Sequence, residues 1–258
     1  MNEVECSGAA DEAIAQVFPG ELVSVISYTS GRVGIIVGRD ESCKVSKLPQ
    51  SRFDAQVEVV ECGPEGCAVG LKNGQVYVIS KSGKIAVLVR QPRHEIVQLG
   101  ATAFTDNYAA LKDNGSLMLR GDSLSRQGKR SVAQYVPQME TFVVLFQSGK
   151  IEIVSPGPLT SAEADFVAQV NAGTALELHQ GCPLGVAVRM DDDTVIVKIA
   201  GMLGEEMPGK SLYSFNNVAR VETTYVAILI VFQDGSATMF TLSHWSTAQK
   251  VCVTGPTI

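Results

Sequence analysis

The chain has 258 residues, a net charge of −6 from 21 Lys+Arg against 27 Asp+Glu, and 45% hydrophobic against 19% charged residues. Such a composition can bury a sizeable core and is neither disordered nor collagen-like. The acidic balance argues against a nucleic-acid backbone or an anionic membrane as main partner, because both need a basic footprint.

The chain opens MNEVECSGAADEA, with four acids, no basic n-region and no apolar block behind it, so no secretory signal or transit peptide is expected. The longest apolar run, Tyr225–Phe232, is too short for a membrane helix. The six cysteines, Cys6, Cys43, Cys62, Cys67, Cys182 and Cys252, are scattered. Cys62-x4-Cys67 and His179-x2-Cys182 look like metal half-sites, but neither has a second half nearby. The expectation is an intracellular, cytoplasmic protein with reduced, mostly buried thiols.

One phrase recurs along the chain: an apolar strand, a polar turn usually containing Gly, then an alternating strand. The copies are Gly34–Val45, Cys67–Val78, Tyr108–Leu119, Phe142–Ile153, Gly185–Val197 and Ala227–Phe240. Asn-Gly, Ser-Gly and Asp-Gly supply the positive φ that tight hairpins require. The first flanks, such as Val143–Phe146 and Ile228–Val231, are continuous apolar runs, the pattern of strands buried on both faces. Further apolar segments precede several pairs at Val57–Val60, Ile96–Leu99, Ala175–Leu178 and Val218–Val221. Three to four strands in about 40 residues is the period of a propeller blade.

The turn anchors are Ser42, Gly74, Gly115, Gly149, Asp193 and Gly235, spaced 32, 41, 34, 44 and 42 residues apart. The path from Gly235 through both ends to Ser42 is 65 residues, which fits two short steps. The arithmetic gives one seven-bladed all-β propeller over 1–258, with six blades as the alternative. The ring would close by pairing Val251–Val253 with an N-terminal segment. Two stretches break the pattern. Gly121–Arg130 is basic and turn-rich and reads as a surface loop. Thr160–Val170 reads as a short inserted helix with Thr160 as N-cap and Glu163 completing a capping box.

The phrase AALKDNGSLMLRG at Ala109–Gly121 and CAVGLKNGQVYVIS at Cys67–Ser80 resemble the repeat of the regulator-of-chromosome-condensation propeller superfamily, and the chain is also similar in size and short repeat to the single-chain propeller inhibitors of β-lactamases. The resemblance implies a propeller fold and work as a binding scaffold.

Catalytic constellations are sparse. His94, His179 and His244 are the three histidines, and none sits in a nucleophile motif. Asp191-Asp192-Asp193 fills a hairpin-turn slot, so turn chemistry accounts for it without a cation. Gly204, Gly209, Lys210 and Ser211 match the letters of a phosphate-binding loop, but no helical stripe follows. No cofactor is expected. The leading expectation is therefore a non-enzymatic propeller that binds a protein partner through loops. Two rivals are an enzyme with a metal or polar site in the central channel, and a nucleotide switch through Gly204–Ser211. The candidate contacts are the aromatic residues Phe104, Tyr213 and Trp245 and the basic residues Arg120, Arg126, Lys129 and Arg130.

Overall fold

The structure is a computed structural model. It describes residues 13–19, 23–31, 33–39, 42–47, 56–63, 66–80, 82, 84–90, 94–102, 107–121, 124, 127–182, 185–199, 212–224, 227–243 and 247–253. Two compact units divide the chain, Met1–Arg130 and Ser131–Ile258.

Six antiparallel sheets follow one another along the chain, each a meander of consecutive strands. In the first unit, sheet one is β1 (Ile14–Phe18), β2 (Val23–Tyr28), β3 (Val33–Arg39) and β4 (Ser42–Lys47). Sheet two is β5 (Val57–Cys62), β6 (Gly66–Leu71), β7 (Val76–Ser80) and β8 (Ile85–Val89). Sheet three is β9 (Ile96–Ala101), β10 (Asn107–Lys112), β11 (Leu117–Gly121) and β12 (Gln127–Lys129). In the second unit, sheet four has three strands, β13 (Val132–Pro137), β14 (Phe142–Phe146) and β15 (Ile151–Val154), followed by the helix α1 (Ser161–Asn171). Sheet five is β16 (Ala175–Cys182), β17 (Gly185–Met190), β18 (Val195–Ile199) and β19 (Leu212–Phe215). Sheet six is β20 (Val218–Thr224), β21 (Ala227–Phe232), β22 (Ala237–Ser243) and β23 (Thr247–Val253).

The second strands are the continuous apolar runs of the sequence. β6 is buried throughout, and β10 and β14 in all but their last residue. The hydrophobic clusters lie between neighbouring sheets. Val25, Ile35, Val69 and Ile79 join sheets one and two; Ala68, Val76, Leu99 and Tyr108 join sheets two and three. In the second unit Val143, Ile151, Val186 and Val188 join sheets four and five; Val197, Val218 and Ile230 join sheets five and six. A strand buried on both faces lets one sheet serve two such layers, which is what stacked blades require.

A turn-and-bulge module repeats in all six sheets. The last residue of each second strand pairs with the first residue of the first strand: Tyr28 with Ile14, Leu71 with Val57, Lys112 with Ile96, Phe146 with Val132, Met190 with Ala175 and Phe232 with Val218. The next pair skips one residue of the first strand, leaving a bulge at Ala15, Glu58, Val97, Ala133, Leu176 and Ala219. Three residues beyond each second strand's end sits the turn residue with positive φ: Gly31, Gly74, Gly115, Gly149, Asp193 and Gly235. Between them Asn73, Asn114, Asp192 and Asp234 each accept a hydrogen bond from a backbone N–H two residues on.

This module corrects the anchor of the first repeat. Ser42 is the first residue of β4, whereas the left-handed turn residue is Gly31, with φ 82°. Gly34–Val45 is the β3–β4 hairpin, one hairpin out of phase with the other copies. With Gly31 the spacings become 43, 41, 34, 44 and 42. Six sheets, the alternative count, are present among the described residues. Val251–Val253 lies in β23, which completes its own meander by pairing with β22.

The helix forms as its sequence signals. The Thr160 side chain accepts from the Glu163 N–H, and the Glu163 carboxylate accepts from the Thr160 N–H at 2.9 Å. Phe166 and Val170 are fully buried against sheets four and five. In chain order α1 stands where the other sheets have a fourth strand. Between the two sheets, Gln134 donates to Leu178 O at 2.7 Å and accepts from Leu178 N at 2.8 Å, so one amide replaces two strand bonds.

Two expectations change. Gly121–Arg130 is not wholly a loop, because Gln127–Lys129 pairs with Leu117–Leu119 as the fourth strand of its sheet. And Cys62 and Cys67, facing each other across β5 and β6, form a disulfide rather than two free thiols. Their register brings the two Cα atoms to 4.0 Å, a closeness the sequence spacing alone does not reveal.

Candidate interaction surface

The basic candidates separate once folded. Arg120 sits on β11 directly opposite Tyr108 of β10. Its Nη1 donates to Val87 O of β8, in the neighbouring sheet, at 2.8 Å. Lys129 is half-buried on β12, and Arg130 is exposed at its end. Phe104, Arg126 and Trp245 lie outside the described residues, as do Gly204–Ser211 and His244. Tyr213 is half-buried on β19, with its ring centroid 4.9 Å from Phe240 and 6.4 Å from Phe215. It packs into the cluster between sheets five and six.

Arg120 belongs to a cleft between sheets two and three. Val78, Ser80, Lys84, Ala86, Tyr108 and Gly121 are the other described lining residues, and its volume is about 150 Å³. Ser80 Oγ lies 2.9 Å from Ser82 Oγ, at the turn between β7 and β8 that also carries Lys84. Tyr108 is buried beneath, and its hydroxyl packs so close to Gly66 that a Cβ there would stand 2.6 Å from it and strike Ile79 O. Gly66 thus fixes the depth of the tyrosine and the floor of the cleft. Arg120 and Lys84 bring two cations to the lining, and none of the described lining residues is acidic. The sequence pointed to Arg120 as basic; Lys84, 36 residues earlier, joins it only through the stacking of two sheets.

The bulges make a second exposed feature. All six bulged residues are exposed. Val97 and Leu176 hold the same place in two repeats and are 57% and 59% exposed. Of the exposed large apolar residues, Ile14, Val17, Val97 and Leu176 all lie on first strands.

The remaining chemical candidates have local explanations. In its turn Asp192 accepts from the Thr194 side chain and from Thr194 N, which together hold its carboxyl below the usual range. Asp193 lies 3.4 Å from Arg189. His94 is exposed beside Asp113, with Nδ1 3.0 Å from the carboxylate. His179 is mostly buried on β16, not on a loop, and burial lowers its pKa against the opposing pull of Glu177. Among the described residues no three His, Cys, Asp or Glu side chains form a metal-sized group, and no helix is long and apolar enough to cross a membrane.

No family model matches the chain, and no curated protein matches it. Solved structures do. The chain is similar to human WBSCR16 at 14% identity and TM-score 0.55, covering 96% of this chain and 84% of that one. Prp20p of Saccharomyces cerevisiae matches at 14% identity and TM-score 0.47, over 88% of this chain and 72% of that one. The CRINKLY WD40 ectodomain of the Arabidopsis thaliana receptor kinase ACR4 matches at 10% identity and TM-score 0.46, over 90% and 82%. At these identities the likeness is one of fold alone, a β-propeller.

Proposed function

We propose that the chain is a non-enzymatic propeller, one domain over 1–258, that binds a protein partner through residues displayed at the edges and turns of its sheets. The observation that carries this reading is the pair Val97 and Leu176. A backbone bulge holds each in water at the same position of two repeats, on a frame whose other apolar side chains are largely interleaved between sheets. Exposed apolar side chains on a rigid scaffold are the ordinary material of a protein contact. The equivalent bulge positions elsewhere carry Ala15, Glu58, Ala133 and Ala219, so the backbone repeats while the displayed chemistry does not. That is how one repeated scaffold becomes specific. Arg120, Arg126, Lys129 and Arg130, with Phe104, Tyr213 and Trp245, are the proposed polar and aromatic contacts.

The test is co-purification of the full tagged chain from its own cells, repeated with Val97→Asp and Leu176→Asp. A stoichiometric protein that is retained by the parent chain and lost by at least one variant, with circular dichroism unchanged, is the expected result. No stoichiometric protein in repeated trials, or one indifferent to both variants, sinks the reading.

A further inference from the structure

The cleft between sheets two and three holds a cation with which no described carboxylate pairs. Arg120 is half-buried there, and its described hydrogen bond goes to a neutral carbonyl, Val87 O. Among the described residues no carboxylate pairs with Arg120 or with Lys84. A partly desolvated guanidinium gains most from an anion that restores the lost hydration. With one Nη1–H committed to Val87 O, the other N–H groups still offer a planar fork, the geometry that suits a two-oxygen carboxylate. Lys84 adds a second positive group, Ser80 adds a hydroxyl, and Val78 and Ala86 give the wall an apolar stretch. An apolar wall beside a cationic end matches a carboxylate on a short alkyl stem better than a bare inorganic anion. Size points the same way. Pockets for drug-sized ligands run to roughly 300–1,000 Å³, and this one has about 150 Å³, room for one side chain.

We propose that this cleft binds a single carboxylate on an alkyl stem, an Asp or Glu side chain of the protein partner. The proposal rests on the protein-binding reading for the source of that side chain, and adds to it a place and a chemistry.

The experiment is an NMR titration of the full chain, following the Nε–Hε signal of Arg120. The probes are N-acetyl-glutamate amide in one arm and inorganic phosphate in the other. The signal should move saturably with the glutamate compound, and Lys84→Gln should weaken that binding by about tenfold, the worth of one charge-assisted hydrogen bond. Arg120→Lys keeps the charge and loses the fork, and should abolish the response followed on backbone amides of Ser80 and Gly121. Because Arg120 also ties β11 to β8, Lys84→Gln on the exposed turn decides the matter if Arg120→Lys does not fold. No saturable shift, or equal affinity in the parent chain and Lys84→Gln, overturns the proposal. Saturation by phosphate alone overturns the carboxylate assignment. Failure here leaves the co-purification result with Val97→Asp and Leu176→Asp intact, so the two readings fall separately.

Discussion

The left-handed turn residue gives a sharp energetic test, because three repeats place it in three different surroundings. Gly149 and Gly235 have nearly the same conformation, with φ 74° and 82°. A Cβ at Gly235 would meet nothing within 4 Å. A Cβ at Gly149 would run into Thr174 Cγ2 and stand 3.2 Å from Ala175 O. The Gly149 turn is also pinned, since Ala175 N donates to Gly149 O at 2.8 Å and Lys150 Nζ to Asn171 O and Gly173 O at 2.8 Å. Gly235→Ala should therefore cost only the left-handed conformation, about 1 kcal/mol. Gly149→Ala should cost that plus overpacking against a held backbone, about 2–4 kcal/mol together. Asp193 occupies the same slot at φ 62°. Asp193→Gly removes the strain at the expense of an exposed Arg189 contact worth at most about 1 kcal/mol, so the change should be neutral or stabilising. Urea unfolding of the three variants, read as midpoints at constant slope, measures all of this. Equal losses at Gly149 and Gly235 would refute the claim that the Gly149 turn is locked to β16.

Gln134→Leu should cost roughly 2–3 kcal/mol, because it strands both the N–H and the carbonyl of Leu178; Gln134→Glu, which keeps one acceptor, should fall between, and a neutral Gln134→Leu in urea unfolding would count against the bridge. Lys198 is buried beside Glu163 at 4.0 Å, and burial lowers its pKa below 10.5 while Glu163 partly opposes this. Its folded form gives up the proton more readily than the unfolded chain, so its contribution to stability rises with pH between the lowered value and 10.5. Lys198→Met should remove that alkaline rise, and an unchanged pH profile of unfolding would show that the lysine is solvated. In the oxidised protein, Cys62 and Cys67 should resist alkylation in denaturant until reductant is added, read by peptide mass; ready labelling of both would contradict the bond between them.

Much of the fold is legible because its signals are local. Asn114-Gly115 and Asp234-Gly235 announce hairpins by themselves, and Thr160 with Glu163 announces a helix start. Runs such as Phe142–Leu145 announce burial on both faces. What escapes is whatever depends on a partner far along the chain. Val87 gives no sign that its carbonyl will meet Arg120, and Lys84 no sign that it will share a cleft with that guanidinium. Cys62 and Cys67 are near in sequence, yet their bonding depends on the register of β5 against β6. Gly121–Arg130 reads as a loop because Gln127-Gly128-Lys129 has no strand character of its own, and only the ladder offered by β11 makes it a strand.

The miscounted first anchor shows why a repeat should be phased on backbone geometry rather than on turn letters. Each four-stranded sheet contains three hairpins, and any of them can carry turn-like residues. Among the described residues, only the hairpin between second and third strands combines a left-handed residue with a bulge opposite. Its next backbone N–H also reaches the residue just before the first strand, as Thr29 N does to Ala13 O, Lys72 N to Gln56 O and Gln233 N to Asn217 O. That bond explains the coupling of turn and bulge. The turn lifts one N–H beyond the end of the ladder, and the first strand needs an extra residue to bring a carbonyl beneath it while returning its apolar side chains to the buried face. The extra residue cannot be buried by the same alternation, so it points to water in every repeat. Val97 and Leu176 are thus exposed by construction, and whatever stands there is free to vary without touching the core. A propeller that recognises a partner through these positions can change its specificity while keeping its fold.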